Sequence, residues 1–261
     1  MNSKNMSTKD QRDSFYKNLV RYSKKYLNKK YSELDESATR IMVNNFLTEV
    51  LGYAELEEIK TEYRIRGEYA DYIIQVDRKK HFVVEVKAIQ LDLSDNHLRQ
   101  AVSYAANEGV DWILLTNGKT FSLYKVIFSK PIESKKVFSF NLSDIKELKS
   151  SVDYLMYLTR KSVVKDELND FWKRFRALEP AYLCKNFYSV EVVRFLKKTL
   201  KRTTNLSFSD DDILDSINII IKAKIESDRP KTPLDVSGKK KIKVKNININ
   251  ESVENIEQTS A

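Results

Sequence analysis

Two acidic residues and one lysine fall close together on two predicted β-strands. Glu85 and Lys87 lie two positions apart in the apolar run 81–87, and Asp71 lies in the preceding run 70–74. Side chains alternate across a strand, so Glu85 and Lys87 project from the same face. Two carboxylates can hold Mg²⁺ together with water molecules, and a neighbouring lysine can position or deprotonate an attacking water. These residues are therefore suited to the metal-assisted hydrolysis of a phosphodiester.

The context of this Glu-x-Lys pair distinguishes it from the other copies of the same spacing. The spacing occurs four times in the chain, beginning at Glu58, Glu85, Glu133 and Glu147. Only the Glu85 copy lies in a β-branched run, follows a strand with an acidic residue and precedes a predicted helix. That helix carries Gln100 and Tyr104 four residues apart, hence on one face. The structural alternative is an ion pair on a sheet face, with Gln100 and Tyr104 as ordinary surface residues.

The elements that would position these residues alternate between helix and strand, which predicts the α/β class. Apolar side chains at helical spacing predict an amphipathic first helix and a second helix that ends at Gly52. Three extended runs form a meander, and after the helix with Gln100 two more strands flank the turn at Asn117 and Gly118. Helices are predicted over 10–30, 35–51, 92–108 and most of 142–224, and strands over 58–66, 70–76, 81–88, 112–115 and 121–127.

Composition excludes several other kinds of protein. The chain has 261 residues, 41% of them hydrophobic, which is enough for a folded core. Its five glycines lack the spacing of a phosphate loop or a dinucleotide-binding turn. One cysteine and two histidines exclude a disulfide framework, a structural zinc site and a histidine-based triad, so a metal would be held by oxygen atoms. Without a signal peptide or a run of about 18 apolar residues, a cytoplasmic location is expected.

The net charge of +9 is unevenly distributed along the chain. Residues 1–31 hold 9 basic and 2 acidic side chains, residues 32–160 hold 17 and 20, and residues 161–202 hold 11 and 5. A slightly acidic middle between basic flanks fits a protein that grips phosphates around a carboxylate metal site, and the alternative is ordinary solvated helix faces. One helical face carries four cations that are candidates for tracking DNA phosphates, namely Arg194, Lys197, Lys198 and Lys201.

The residues around these motifs resemble the N-terminal nuclease domain of type I restriction enzyme R subunits, within the PD-(D/E)XK nuclease superfamily. The matching words are Ala70-Asp71-Tyr72, Val83-Val84-Glu85-Val86-Lys87-Ala88, Arg99-Gln100-Ala101-Val102-Ser103-Tyr104-Ala105, Leu115-Thr116-Asn117-Gly118 and Leu123-Tyr124. The resemblance covers about residues 33–128. It implies a restriction-endonuclease-like core of helix, three-stranded meander, helix and two strands, followed here by a helical C-terminal region.

The resemblance also assigns roles to individual residues. Asp71 and Glu85 would be ligands of Mg²⁺ or Mn²⁺, and Lys87 would be the catalytic lysine. Gln100 and Tyr104 match the family's QxxxY motif, which is linked to positioning DNA or the active site; we count Gln100 with the catalytic residues and Tyr104 with the DNA contacts. Glu62 is taken as an additional acidic ligand, with Glu49 on the preceding helix as the alternative. Ala70 stands where the family usually has proline.

Four regions are expected: an N-terminal amphipathic helix over 1–31, a nuclease-like domain over 32–141, a helical region over 142–227 and a disordered basic tail over 228–261. The helicase motor that follows the domain in R subunits is not expected, since no phosphate loop occurs. The leading hypothesis is a stand-alone metal-dependent DNA endonuclease, with a role in restriction or anti-phage defence implied by the resemblance alone.

Three alternatives stay open. The chain could be a noncatalytic DNA-binding or scaffolding protein that retains the fold, a subunit of a larger complex, or a nuclease held inactive until a partner or small ligand binds the helical region. DNA is the expected partner in each case. A homo-oligomer or an activating protein partner is left open, and no membrane contact is expected.

Overall fold

A six-stranded mixed sheet forms the centre of the fold. The computed structural model describes residues 8–65 and 68–223, apart from the side chains of 62–69 and 223. The strands lie in sequence order, and all neighbours are antiparallel except β3 and β4, which are parallel. They are β1 (Ile59–Ile65), β2 (Glu68–Val76), β3 (Lys79–Val86), β4 (Trp112–Thr116), β5 (Thr120–Ile127) and β6 (Glu133–Asn141).

Ten α-helices surround or follow the sheet in the described part of the chain. Three short 3₁₀ turns, 29–31, 95–97 and 156–158, and a π-helical turn over 46–50 connect or extend them. The helices are α1 (Thr8–Tyr26), α2 (Glu36–Asn45), α3 (Glu55–Glu58), α4 (Leu98–Glu108), α5 (Ile145–Leu155), α6 (Arg160–Val164), α7 (Glu167–Ala177), α8 (Pro180–Phe187), α9 (Val190–Thr204) and α10 (Asp210–Ala223). None of the helices within residues 8–223 is long and apolar enough to cross a membrane.

The predicted α/β class and restriction-endonuclease-like order of elements are confirmed, with one addition. Strand β6 pairs along β5 as a sixth strand that was not among the predicted strands. Its lysines and serines leave it largely exposed, and a charged surface is how natural proteins protect the edge of a sheet from further pairing. The same polar composition hid the strand from a search for apolar runs.

One face of the sheet packs against α4, which crosses from β3 to the parallel strand β4. Its apolar stripe includes Leu98, Ala101 and Ala105, all buried against the sheet in one core cluster. Gly109 ends the helix in the left-handed conformation, with φ +65°. The crossover therefore fixes which residues of α4 face the sheet and which stay near its edge.

The other face of the sheet packs against α2 and α1. The ring of Phe46 stacks on Phe121 of β5 with centroids 4.2 Å apart, and Tyr22 meets Phe46 edge-on at 5.1 Å. Each such buried side chain contributes about 1.5–3 kcal/mol. Gly118 allows the close approach, because a Cβ there would lie 1.8 Å from the Cε of Met42 and its φ is +78°. Helix α2 begins where the sequence predicts, with Asp35 accepting a hydrogen bond from the N–H of Ala38 at 2.8 Å.

The chain divides into two compact units, with the boundary after Arg174. The first unit contains the sheet and its surrounding helices. The second contains α8, α9 and α10 among its described residues, and a small cluster of Val193, Ile213 and Ile217 joins α9 to α10. The four predicted regions stay predictions, and the tail predicted over 228–261 lies outside the described residues.

Candidate active site

The predicted catalytic residues lie where β2 and β3 part from each other. The two strands pair as far as Tyr72 opposite Val84, and beyond that point β3 continues to pair with β4. The side chain of Asp71 spans the gap, because its Oδ2 accepts a hydrogen bond from the backbone N–H of Val86 at 2.7 Å. The strands thus form a fork that one carboxylate bridges, and Glu85 lies beside it.

An open cavity of about 490 Å³ occupies this fork. Strands β2 and β3 supply two of its acidic residues, α4 supplies Gln100 at the rim, and α2 supplies a third acidic side chain and one basic side chain. Its lining residues are Glu36, Arg40, Ala70, Asp71, Glu85, Lys87 and Gln100. The structure therefore brings together four of the residues singled out from the sequence.

The charged groups of the cavity alternate in sign. Lys87 Nζ donates a hydrogen bond to Glu85 Oε1 at 2.6 Å and lies 3.8 Å from Glu36 Oε2. Arg40 Nη2 donates to the other oxygen of Glu36 at 2.9 Å. Arg40 Nε forms an ion pair with Asp71 Oδ1 at 2.6 Å, without the geometry of a hydrogen bond. Three acidic and two basic groups leave a formal charge of −1 when all are ionised.

One oxygen of this network lacks a donor. Glu85 is 3% exposed, and its Oε2 is buried without a hydrogen-bond partner among the described residues. An unsatisfied buried acceptor costs about 1–3 kcal/mol. A divalent cation with its bound water would satisfy this oxygen, which is the kind of ligand that Mg²⁺ prefers.

The donor set fits a small magnesium site. Asp71 uses both oxygens already, but each carboxylate oxygen has two lone pairs and can also bind a cation. The part of the chain that the structure describes contains no group of three or more His, Cys, Asp or Glu residues placed to hold a metal. Asp71 and Glu85 thus match the case in which Mg²⁺ takes one or two carboxylates and keeps several waters.

The protonation of the site follows from its burial. Burial raises the pKa of Glu85 to about 7, against the hydrogen bond from Lys87 and reinforced by the charge of Asp71. Burial also raises the pKa of Asp71, partly opposed by the Val86 N–H and by Arg40. For Lys87, burial alone would lower the pKa, but Glu85 and the nearby carboxylates outweigh it and raise the pKa. The metal-free site therefore holds Lys87 as a cation at neutral pH.

Gln100 and Tyr104 have different environments although they share a helical face. Gln100 is exposed and lines the cavity. Tyr104 is 1% exposed and belongs to the core cluster between α4 and the sheet. The predicted DNA contact of Tyr104 does not fit this burial, because a side chain in the core cannot meet a ligand on the surface. A signal was present in the sequence, since Tyr104 lies beside Ala101 and Ala105 of the apolar stripe.

Glu62 and Glu49 are the two candidates for an additional acidic residue at the site, and the structure assigns neither of them to the cavity. The side chain of Glu62 lies outside the described residues. Glu49 forms an exposed ion pair with Lys25 at 3.2 Å and does not line the cavity. Glu36 lines the cavity instead, together with Arg40 one turn later on α2. Their spacing of four residues after the Asp35 cap was visible in the sequence, but their proximity to β2 and β3 was not.

The four cations predicted to contact DNA lie on α9 in the second unit. Arg194, Lys197, Lys198 and Lys201 line a separate groove of that unit, between α9 and the residues that precede α10.

A family comparison agrees with the resemblance seen in the sequence. A family model described as type I restriction enzyme R protein N terminus matches residues 35–136. Searches of curated proteins and of solved structures found no match. The matched segment begins at the N-cap of α2, ends within β6 and contains every residue that lines the cavity. The family description indicates a nuclease-related role for the matched segment, which is similar to the N terminus of type I restriction enzyme R proteins.

Proposed function

We propose that this domain hydrolyses phosphodiester bonds of DNA, with Mg²⁺ or Mn²⁺ held by Asp71 and Glu85. The observation that carries the proposal is the meeting of two buried carboxylates and one lysine at an open cavity. Glu85 has one oxygen without a donor among the residues that the structure describes, and its other oxygen lies 2.6 Å from Lys87 Nζ. When bound, the cation would polarise the phosphate and lower the pKa of an attacking water.

The protein groups have separate tasks in this proposal. Asp71 is held in place by the Val86 N–H, so its remaining lone pairs have a fixed direction. Lys87 is a cation at neutral pH, which suits it to orienting the water and to offsetting negative charge that develops on the phosphate. Glu36, 3.8 Å from Lys87 Nζ, limits the positions that this ammonium can take. Gln100 at the rim can donate to the substrate from its amide.

Restriction of foreign DNA is the biological role that we propose for this activity. It is supported by the family description alone, since a fold can host several functions and the site itself does not identify the source of the DNA.

Cleavage assays with matched variants test the reaction. Plasmid, linear duplex and single-stranded DNA are incubated with the purified chain in Mg²⁺, Mn²⁺ or EDTA. Lys87→Ala should lower the rate by about 100-fold or more, which is typical for loss of a positioned catalytic group. Lys149→Ala is the control, because Lys149 belongs to another Glu-x-Lys copy and lies exposed on α5.

The outcomes separate the competing hypotheses. Equal cleavage by wild type and Lys87→Ala would assign the activity to a contaminant. DNA binding without cleavage under any condition would support the noncatalytic DNA-binding alternative. Manganese binding measured by calorimetry gives a second readout, since Glu85→Gln should weaken it whether or not DNA is cut.

A nuclease held inactive until a partner binds is the second candidate, and Arg40 is the observation that favours it. Its guanidinium lies 2.6 Å from Asp71 and places a positive charge where the proposed metal ligand is needed. Displacement of Arg40 by DNA or by a protein would free Asp71. Cleavage that increases in Arg40→Gln would support this candidate, and unchanged cleavage would count against it.

A further inference from the structure

A basic groove lies in the second unit between α9 and the residues that precede α10. Its volume is about 640 Å³, within the range of ordinary ligand sites. Basic side chains form one wall, and apolar side chains, the hydroxyl of Ser207 and the carboxylate of Asp210 form the remainder. The lining residues are Val190, Val193, Arg194, Lys197, Lys198, Lys201, Ser207, Phe208 and Asp210.

The direction of the basic wall is fixed by the packing of α9. Val193 is 5% exposed and packs with Ile213 and Ile217 of α10, while Leu196 and Leu200 pack against the same cluster. Helix α9 therefore cannot rotate about its axis without exposing this core. The side of α9 that carries the cations therefore faces the groove, and Arg194, Lys198 and Lys201 are exposed there.

Three of the four cations keep their charge unneutralised. Lys197 forms an ion pair with Asp210 at 2.5 Å. Within the part of the chain that the structure describes, Arg194, Lys198 and Lys201 form no ion pair. They recur at i, i+4 and i+7, so they make one row along about 10 Å of helix.

This arrangement is unfavourable for the isolated helix. Like charges three or four residues apart repel each other, whereas Lys201 lies in the last turn, where the helix dipole favours a cation. A polyanion lying along the row would remove the repulsion. A bound polyanion would therefore stabilise the row of cations more than exposure to solvent does.

The apolar residues of the groove indicate which class of polyanion it binds. Val190 is 62% exposed although it is apolar, and Phe208 is only partly buried. Grooves that bind single-stranded nucleic acid combine cations along the backbone with apolar or aromatic surface for unstacked bases. A duplex would present only phosphates and sugars to such a wall.

We propose that this groove binds single-stranded nucleic acid through its backbone phosphates, independently of sequence. Arg194, Lys198 and Lys201 contact successive phosphates, and Val190 with Phe208 contacts a sugar or base. The choice of nucleic acid over another polyanion rests on the proposed function of the first unit. The proposal that the groove binds an anion does not rest on that function.

Fluorescence anisotropy in EDTA tests the groove without any cleavage. The full chain is titrated against a labelled mixed-sequence single strand of about 20 nucleotides over a range of salt concentrations. In Lys198→Gln/Lys201→Gln, two phosphate contacts are lost. The salt-dependence slope should fall by about 1.4, and affinity at about 0.15 M salt should fall about tenfold.

A matched variant controls for net charge. Lys185→Gln/Lys222→Gln removes the same charge from exposed positions of the same unit that do not line the groove. Its affinity should stay within about twofold of wild type. Equal weakening by both double variants, or no weakening by the first, would overturn the proposal. So would a loss confined to duplex DNA, or displacement of the strand by an equal phosphate concentration of inorganic triphosphate.

Anisotropy in EDTA and the cleavage assay with Mg²⁺ or Mn²⁺ together separate this proposal from the nuclease proposal. Lys87→Ala should bind the strand as wild type does in EDTA, because the groove is intact. Binding that survives while cleavage is absent leaves the groove supported and the nuclease proposal refuted. If the wild type cleaves DNA and the groove variants bind the strand normally, the groove proposal alone is refuted.

Discussion

Glu85→Gln gives the sharpest test of the site, because the substitution keeps the shape of the side chain and removes its titration. Burial raises the pKa of Glu85 to about 7 in the folded, metal-free protein, against an ordinary value of 4.5. Between these two pH values the folded state binds a proton that the unfolded state has released. The folded state is therefore stabilised by this group at low pH, and that stabilisation is lost as the pH rises through about 7.

The size of the effect follows from the two pKa values. Integration of the proton linkage between pH 5 and pH 8 gives a loss of about 2.5 kcal/mol in wild type. Glu85→Gln cannot lose this contribution. The difference in unfolding free energy between variant and wild type should therefore change by about 2.5 kcal/mol over that range, in favour of the variant at high pH. Titrating groups that do not interact with Glu85 cancel in the difference.

Urea unfolding in EDTA measures this difference. Trp112 and Trp172 both lie in the first unit, so tryptophan fluorescence reports on the unit that carries the site. Manganese should reverse the trend in wild type, since metal binding requires the ionised carboxylate and stabilises the folded state more strongly as the pH rises. A difference between variant and wild type that stays constant within about 0.5 kcal/mol would refute the account of Glu85 as a buried, poorly solvated carboxylate.

Three further predictions follow from other contacts. Arg40→Gln should bind Mn²⁺ on the order of tenfold more tightly by calorimetry, because about 1.5 kcal/mol of charge repulsion is relieved at a water-like dielectric. Tyr104→Phe should leave DNA affinity unchanged in anisotropy, since the ring is buried; a loss above about fivefold would restore Tyr104 as a DNA contact. Gly118→Ala should cost about 1–2 kcal/mol in urea unfolding, because its Cβ meets Met42 at φ +78°. Gly109→Ala, where a Cβ meets nothing within 4 Å, should cost less.

The strand carrying Glu85 and Lys87 could be predicted because its information is local. A run of β-branched residues predicts an extended chain, and the period of two then places both side chains on one face. The helix over Gln100 was predictable for the same reason, from its apolar stripe. The burial of Gln100 and Tyr104 was not predictable, since two residues four apart on a helix share a face but can lie at different distances from the sheet. Gln100 therefore reaches the rim while Tyr104 lies in the core.

The remainder of the site depends on contacts between distant parts of the chain. Arg40 meets Asp71 across 31 positions, and Glu36 meets Lys87 across 51. No periodicity within α2 indicates which turn will face the end of β3, because that is decided by how the helix packs on the sheet. Strand β6 was missed for a different reason, since edge strands are selected for polar composition rather than for apolar runs.

The fork between β2 and β3 determines which substitutions at Asp71 can be interpreted. Past Tyr72 and Val84, the carboxylate of Asp71 replaces a backbone carbonyl as the acceptor and receives a hydrogen bond from the Val86 N–H at 2.7 Å. Asp71→Ala would remove this hydrogen bond together with the charge. Loss of activity in that variant would then have two explanations, further separation of the strands or loss of the metal ligand. Asp71→Asn keeps an oxygen that can accept the same N–H. Hydrogen exchange of the Val86 amide distinguishes these explanations. Slow exchange in Asp71→Asn would show that the fork is intact and that only the charge was lost.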